Sequence, residues 1–129
     1  MTWKMYIFVK TKSSKDGIKF SKGKIAGQVG HACMRLGKVL VDKSFMSRTY
    51  YDYVEDGEIK LIFRCNDNKF PEFTSLFPDL AVEDWYTDLV YRETDDLAWS
   101  KVKDNMTDEY IALAILTDRP LDTKEFTLL

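Results

Sequence analysis

At 129 residues the chain has the length of one domain and can bury a real core. Its 45% hydrophobic and 31% charged residues suit a soluble globular protein, and no apolar run approaches the ~20 residues of a membrane span. Two cysteines (Cys33, Cys65) and one histidine (His31) argue against a disulfide framework or a zinc cluster. The expected address is a reducing cytoplasm, with no metal or other cofactor.

The opening MTWKMYIFVK alternates and is closed by lysine, so Met5–Val9 is predicted as a strand rather than part of a signal peptide. A polar loop, Lys10–Phe20, follows. The net charge of −2 is uneven: residues 1–48 hold eleven Lys/Arg against two acids (+9), the remainder eight against nineteen (−11). Lys10, Lys12, Lys15, Lys19, Lys22 and Lys24 crowd into 10–24 beside Asp16 alone. Such a cluster is the footprint of a polyanion-binding surface, or else a solubilising loop beside a strand.

Ser21 stands as the N-cap of a helix running to about Asp42. A second short helix is predicted over Phe45–Tyr53, before a Glu55-Asp56-Gly57 turn. Ile59–Cys65 alternates as a strand. Asn66 or Asp67 caps a helix carrying Phe70, Phe73, Leu76 and Phe77 and stopped by Pro78. Val82–Tyr91 is a third strand, Glu93–Glu109 a long acidic loop, and Tyr110–Thr117 a fourth, strongly apolar strand. Asp118-Arg119-Pro120 opens a short terminal helix ending at Leu128-Leu129. These elements make one α/β domain over 1–129, a small mixed four-stranded sheet flanked by helices.

KGKIAGQVGHACMRLGK, residues 22–38, places glycine at 23, 27, 30 and 37 of the first helix, each costing roughly 1 kcal/mol relative to alanine. With Lys24 set at zero and each residue stepped by about 100°, Gln28, His31 and Arg35 fall within about 40° of it. Ile25, Val29, Ala32, Leu36 and Val39 form the adjacent apolar side, and Gly23, Ala26, Gly30, Cys33 and Gly37 the next. The glycines are expected to let a strand pass close, seating the helix tightly on the sheet. The helix start at Lys22-Gly23-Lys24 could also receive an anion.

Residues 22–32, KGKIAGQVGHA, resemble the K-G-K-x-A-A-Q-x-x-H-A segment of type II peptidyl-tRNA hydrolases. Lys4-Met5-Tyr6-Ile7-Phe8-Val9 is similar to that family's opening strand, and Gly17-Ile18-Lys19-Phe20 to the loop that follows, here after an insertion. Phe126-Thr127-Leu128-Leu129 resembles the family's L-K-L-L ending. The resemblance spans essentially the whole chain. It implies a mixed α/β fold, often dimeric, that hydrolyses the ester between a peptide, or a blocked amino acid, and the 3′ end of tRNA without a metal. Lys24 and Gln28 match the family's active-site lysine and glutamine. His31 matches too, either near the chemistry or packed behind the polar stripe. The polyanionic substrate fits the lysine cluster, so Lys12, Lys15, Lys19, Lys22 and Arg35 are expected to contact tRNA.

Ester hydrolysis needs an activated water, stabilisation of the developing oxyanion and protonation of the leaving oxygen. A lysine one turn from a glutamine can orient the carbonyl and neutralise charge, but a carboxylate or a desolvated lysine is needed as base. The resemblance places that carboxylate in a D-A-G-x-T loop after the third strand. Here the corresponding chain reads Tyr91-Arg92-Glu93-Thr94-Asp95-Asp96, with no glycine after Gly57. Glu93, Asp95 or Asp96 is expected to supply the carboxylate and Thr94 a hydroxyl, unless this is an acidic solvated loop. Two function classes follow: a peptidyl-tRNA esterase, or a catalytically silent member of the fold that binds RNA or protein. Trp85, Tyr86 and Trp99 could stack on bases, although single aromatics in strands usually fill cores.

Overall fold

A computed structural model describes residues 2–42, 47–65, 69–72, 76, 89–92, 97–104 and 108–129. Its elements, in chain order, are β1 (Lys4–Val9), α1 (Lys22–Asp42), α2 (Ser47–Glu55), β2 (Lys60–Cys65), β3 (Leu89–Arg92), β4 (Leu97–Lys103), β5 (Tyr110–Thr117) and β6 (Phe126–Leu128). The fold is mixed α/β. Among the described residues its sheet carries six strands in the order β3-β4-β5-β1-β2-β6, where the sequence predicts four. Among the described residues no helix is long and apolar enough to cross a membrane.

β1 and β2 run parallel, with Phe8 opposite Phe63, and the helical connection α1–α2 makes the crossover that parallel neighbours require. Every other neighbouring pair is antiparallel, and β1 is central, flanked by β2 and β5. Ser21 caps α1 as predicted: its Oγ accepts the Lys24 N–H at 3.1 Å. α2 is described from Ser47, residues 45–46 of the predicted helix lying outside the described residues, and it ends in a turn where Gly57 has φ +101°, a backbone that favours glycine.

The sheet has two unlike faces. Under α1 lie Met5, Ile7, Val9, Ala98, Val102, Ala112, Ala114 and Leu116, packed with Ala32, Leu36 and Leu40 of the helix. The far face carries Phe8, Phe63, Leu97, Trp99, Leu113 and Ile115. There Phe8 stacks on Phe63 at 5.3 Å and meets Phe126 edge-on at 4.7 Å.

This arrangement corrects the reading of the helix glycines. An added Cβ at Gly23, Gly27, Gly30 or Gly37 would meet nothing within 4 Å, and the first three are exposed. Among the described residues no strand passes against them. It is the small side chains of the sheet, Ala98, Ala112 and Ala114, that leave room for the helix, which buries Ala32, Leu36 and Leu40 there.

Two further predictions are corrected. Residues 97–103, expected within a long acidic loop, form β4, buried along its length up to Val102. Leu97 and Trp99 fill the far core while Ala98 and Val102 fill the near one; Ser100 and Lys101 between them break the apolar alternation. Lys101 is buried with its Nζ 4.6 Å from the centre of the Tyr110 ring, a contact that helps accommodate the ammonium. The terminal helix expected after Pro120 is absent: Phe126–Leu128 pairs antiparallel with β2, satisfying backbone groups along a strand that would otherwise be an edge. The helix predicted around Phe70–Phe77, with its cap at Asn66 or Asp67, lies largely outside the described residues, although Leu76 is buried in the far core. Residues 82–88 of the predicted third strand also lie outside them, as do Trp85 and Tyr86; Leu89–Arg92 is the described part. Trp99 is core.

Candidate functional site

The carboxyl ends of β1 and β2, the start of α1 and the β4–β5 connection meet at one end of the sheet. Ends of parallel strands beside a helix start are common places for ligands in α/β folds. From β1 the chain enters a compact loop. Thr11 C=O accepts the Phe20 N–H at 2.8 Å, Ser13 N–H donates to Ile18 C=O at 3.0 Å, and Lys12 bridges Lys19 across it. Its tip turns at Gly17, φ +71°, where a side chain would be strained. This geometry leaves Lys12, Lys15, Lys19 and Lys22 exposed.

The other two lysines of the cluster are engaged. Lys24, in the first turn of α1, places Nζ 3.2 Å from Asp104 Oδ2 and 4.6 Å from the centre of the Phe20 ring. Asp104 follows β4 directly. Its N–H donates to Glu109 C=O and its C=O accepts the Asp108 N–H, both at 2.8 Å, so backbone bonds on both sides fix the main chain that carries the carboxylate. The Asp104 side chain is 5% exposed and that of Lys24 31%, leaving the ammonium open to solvent on one side. Lys10, at the end of β1, is sealed: its Nζ contacts Ser14 Oγ and lies 3.4 Å from Glu109 Oε1, with side-chain exposures of 4% and 11% for the charged pair.

Gln28 stands one turn beyond Lys24, half-buried, on the same stripe. His31 is exposed, which removes the second of its two alternatives, a place packed behind the stripe. Arg35 lies three turns along α1 from Lys24, roughly 16 Å by helical rise. Its Nη1 donates to Lys101 C=O at 3.4 Å, away from the loop lysines. Glu93, Thr94, Asp95 and Asp96 lie outside the described residues.

Asp104 and Glu109 are therefore the carboxylates that sequence reasoning passed over. Lys24 and Asp104 are 80 positions apart, beyond any local periodicity. The available signal was the polar run Asp104–Glu109 between the apolar Val102 and Tyr110–Thr117, a turn between strands rather than the end of a long loop.

Neither cysteine is poised as a nucleophile. Burial pushes the Cys33 thiol above its ordinary range despite the opposing charge of Lys60, and pushes that of Cys65 up to about 12, so both stay protonated near neutrality. Among the described residues no three His, Cys, Asp or Glu side chains gather as a metal-binding set. The chemistry on offer is a solvent-accessible ammonium paired with a held carboxylate, beside an amide side chain and exposed lysines. The chain matches no protein-family model and no curated protein.

Proposed function

We propose that this chain is a divergent type II peptidyl-tRNA hydrolase, cleaving the ester between a peptide, or a blocked amino acid, and the 3′ end of tRNA. The observation that carries the reading is the Lys24–Asp104 contact of 3.2 Å. It supplies a carboxylate to the lysine that the helix motif singles out, at the foot of a loop bearing exposed lysines.

In this mechanism Asp104 accepts a proton from water as the water oxygen attacks the ester carbonyl carbon. The Lys24 ammonium stabilises the oxyanion that forms, and its neighbour Gln28 orients the carbonyl or the water. Collapse of the tetrahedral intermediate breaks the bond to the ribose oxygen, which takes the proton held by Asp104. The freed peptide leaves with a carboxyl group and the tRNA with its hydroxyl. Asp104 thus takes the role that the resemblance assigns to the 93–96 segment. Lys12, Lys15, Lys19 and Lys22 meet the tRNA phosphates.

The test is release of the acyl group from N-blocked aminoacyl-tRNA by the purified chain. Asp104→Asn should lower the rate at least about 100-fold, the lower end of what a general base contributes, with tRNA affinity little changed. A parent chain that binds tRNA without cleaving it would leave a silent RNA-binding protein of the same fold. A parent that cleaves while Asp104→Asn cleaves equally well would displace the base from Asp104.

A further inference from the structure

Glu109 touches both parts of the proposed site. Its two carboxylate oxygens accept the Ser14 N–H at 3.0 and 3.3 Å, and Oε1 also faces the Lys10 ammonium at 3.4 Å. Its backbone C=O accepts the Asp104 N–H at 2.8 Å. One residue therefore ties the middle of the lysine loop to the turn that carries Asp104. The side chain is 11% exposed, so it is mostly withdrawn from contact with an incoming polyanion.

An acidic residue beside a basic loop would ordinarily weaken polyanion binding by cancelling charge. Here its carboxylate is taken up by the Ser14 N–H and the buried Lys10 ammonium, while Lys12, Lys15 and Lys19 stay exposed on the loop that these contacts anchor. We infer that Glu109 is a positioning residue: it holds the 10–20 loop so that the exposed lysines present a preformed surface to tRNA phosphates in fixed register with Lys24 and Asp104. This inference rests on the reading that the loop meets tRNA. Without the anchor, binding must first order the loop, and that cost subtracts from affinity.

Charge and anchoring predict opposite signs, which makes the inference testable in the full-length chain. The probe is deacylated tRNA, measured at fixed low salt by fluorescence anisotropy, with circular dichroism on every variant. Glu109→Ala removes both the charge and the acceptor for the Ser14 N–H. Glu109→Gln removes the charge but retains an amide oxygen at the same reach. Anchoring predicts that Glu109→Ala binds tRNA at least about fivefold more weakly despite its gain in positive charge, while Glu109→Gln binds at least as tightly as the parent. Tighter binding by both variants, or equal weakening of both, overturns the inference. Hydrogen exchange of the Ser14 amide adds a readout on the parent itself. Protection is expected there and in Glu109→Gln, and a Ser14 amide that exchanges freely in the parent overturns the inference even if Glu109→Ala does not fold. A parent that binds no tRNA instead defeats the functional reading beneath it, a different outcome from a parent that binds and a Glu109→Ala that binds tighter.

Discussion

Lys10–Glu109 and Lys24–Asp104 stand at the same end of the sheet, and they differ in their access to water. Lys10–Glu109 is closed, with both side chains nearly out of solvent; Lys24–Asp104 buries its carboxylate but leaves nearly a third of its lysine exposed. Buried, a charged pair must compensate its own desolvation, and removing one partner leaves a costly orphan. Half-open, it can exchange its partner for water, a carbonyl oxygen or a phosphate at little cost. The same two functional groups are thus suited to holding a loop in one place and to handling a substrate in the other.

The largest expected effect tests the closed pair. Lys10→Met retains the aliphatic stem and removes the ammonium, leaving Glu109 with only its bonds to the Ser14 N–H. Stability should fall by about 3 kcal/mol, lowering Tm by roughly 10 °C. Combining Lys10→Met with Glu109→Leu should recover much of that loss, because a well-packed apolar pair avoids desolvation altogether. Equal Tm values for Lys10→Met and the parent would show that the closed pair contributes nothing.

The open pair should respond the other way round. Lys24→Ala is expected to lose at least about tenfold in ester cleavage, equivalent to ~1.4 kcal/mol of barrier. Its stability should fall by less than that of Lys10→Met, since truncating a partly exposed side chain lets water reach the Asp104 carboxylate. Gln28→Ala, with no charge to neutralise, should show the smaller rate loss. Stability and activity measured on Lys10→Met and Lys24→Ala thus form a crossed pair of readouts, and a Lys24→Ala that melts like Lys10→Met would erase the distinction.

Lysines with neither kind of enclosure extend the comparison. Lys12, Lys15 and Lys19 are exposed on the loop, and neutralising all three should leave Tm within a degree or two. Each lysine that no longer neutralises a phosphate should flatten the dependence of log affinity on log salt by about 0.9, so the triple variant changes the slope by up to about 3. An unchanged slope would leave these lysines as solubilising surface.

How much of this was legible in the sequence follows the same division between local and distant causes. The N-cap Ser21, the span of α1 and the strands β1, β2 and β5 are set by local patterning, and the structure places them within a residue or two of expectation. β4 was hidden because Ser100 and Lys101 interrupt its alternation, and the buried ammonium lies against Tyr110 of the next strand, a tertiary contact that local patterning does not show. β6 has three residues and becomes a strand only because β2 offers it an edge. The helix motif pointed to Lys24, whereas its carboxylate partner arrives through tertiary contact from a turn 80 residues away.

At the glycines of α1 the structure reverses the sequence reading. A bare helix side looks the same on paper whether it faces backbone or water, and at Gly30 it faces water, with nothing within 4 Å of an added Cβ. Ala32, two residues on, has its methyl fully buried against the sheet. The same pair of residue types should therefore give opposite results on the open and closed sides of one helix. Ala32→Gly loses helix propensity and a buried methyl together, and should destabilise by about 2 kcal/mol. Gly30→Ala gains propensity and restricts the unfolded chain without meeting a neighbour, and should stabilise by about 0.5–1 kcal/mol. Urea unfolding of the two variants beside the parent measures both. If Gly30→Ala destabilises the fold, something occupies that side of α1 in solution, and the open face of the helix would be closed after all.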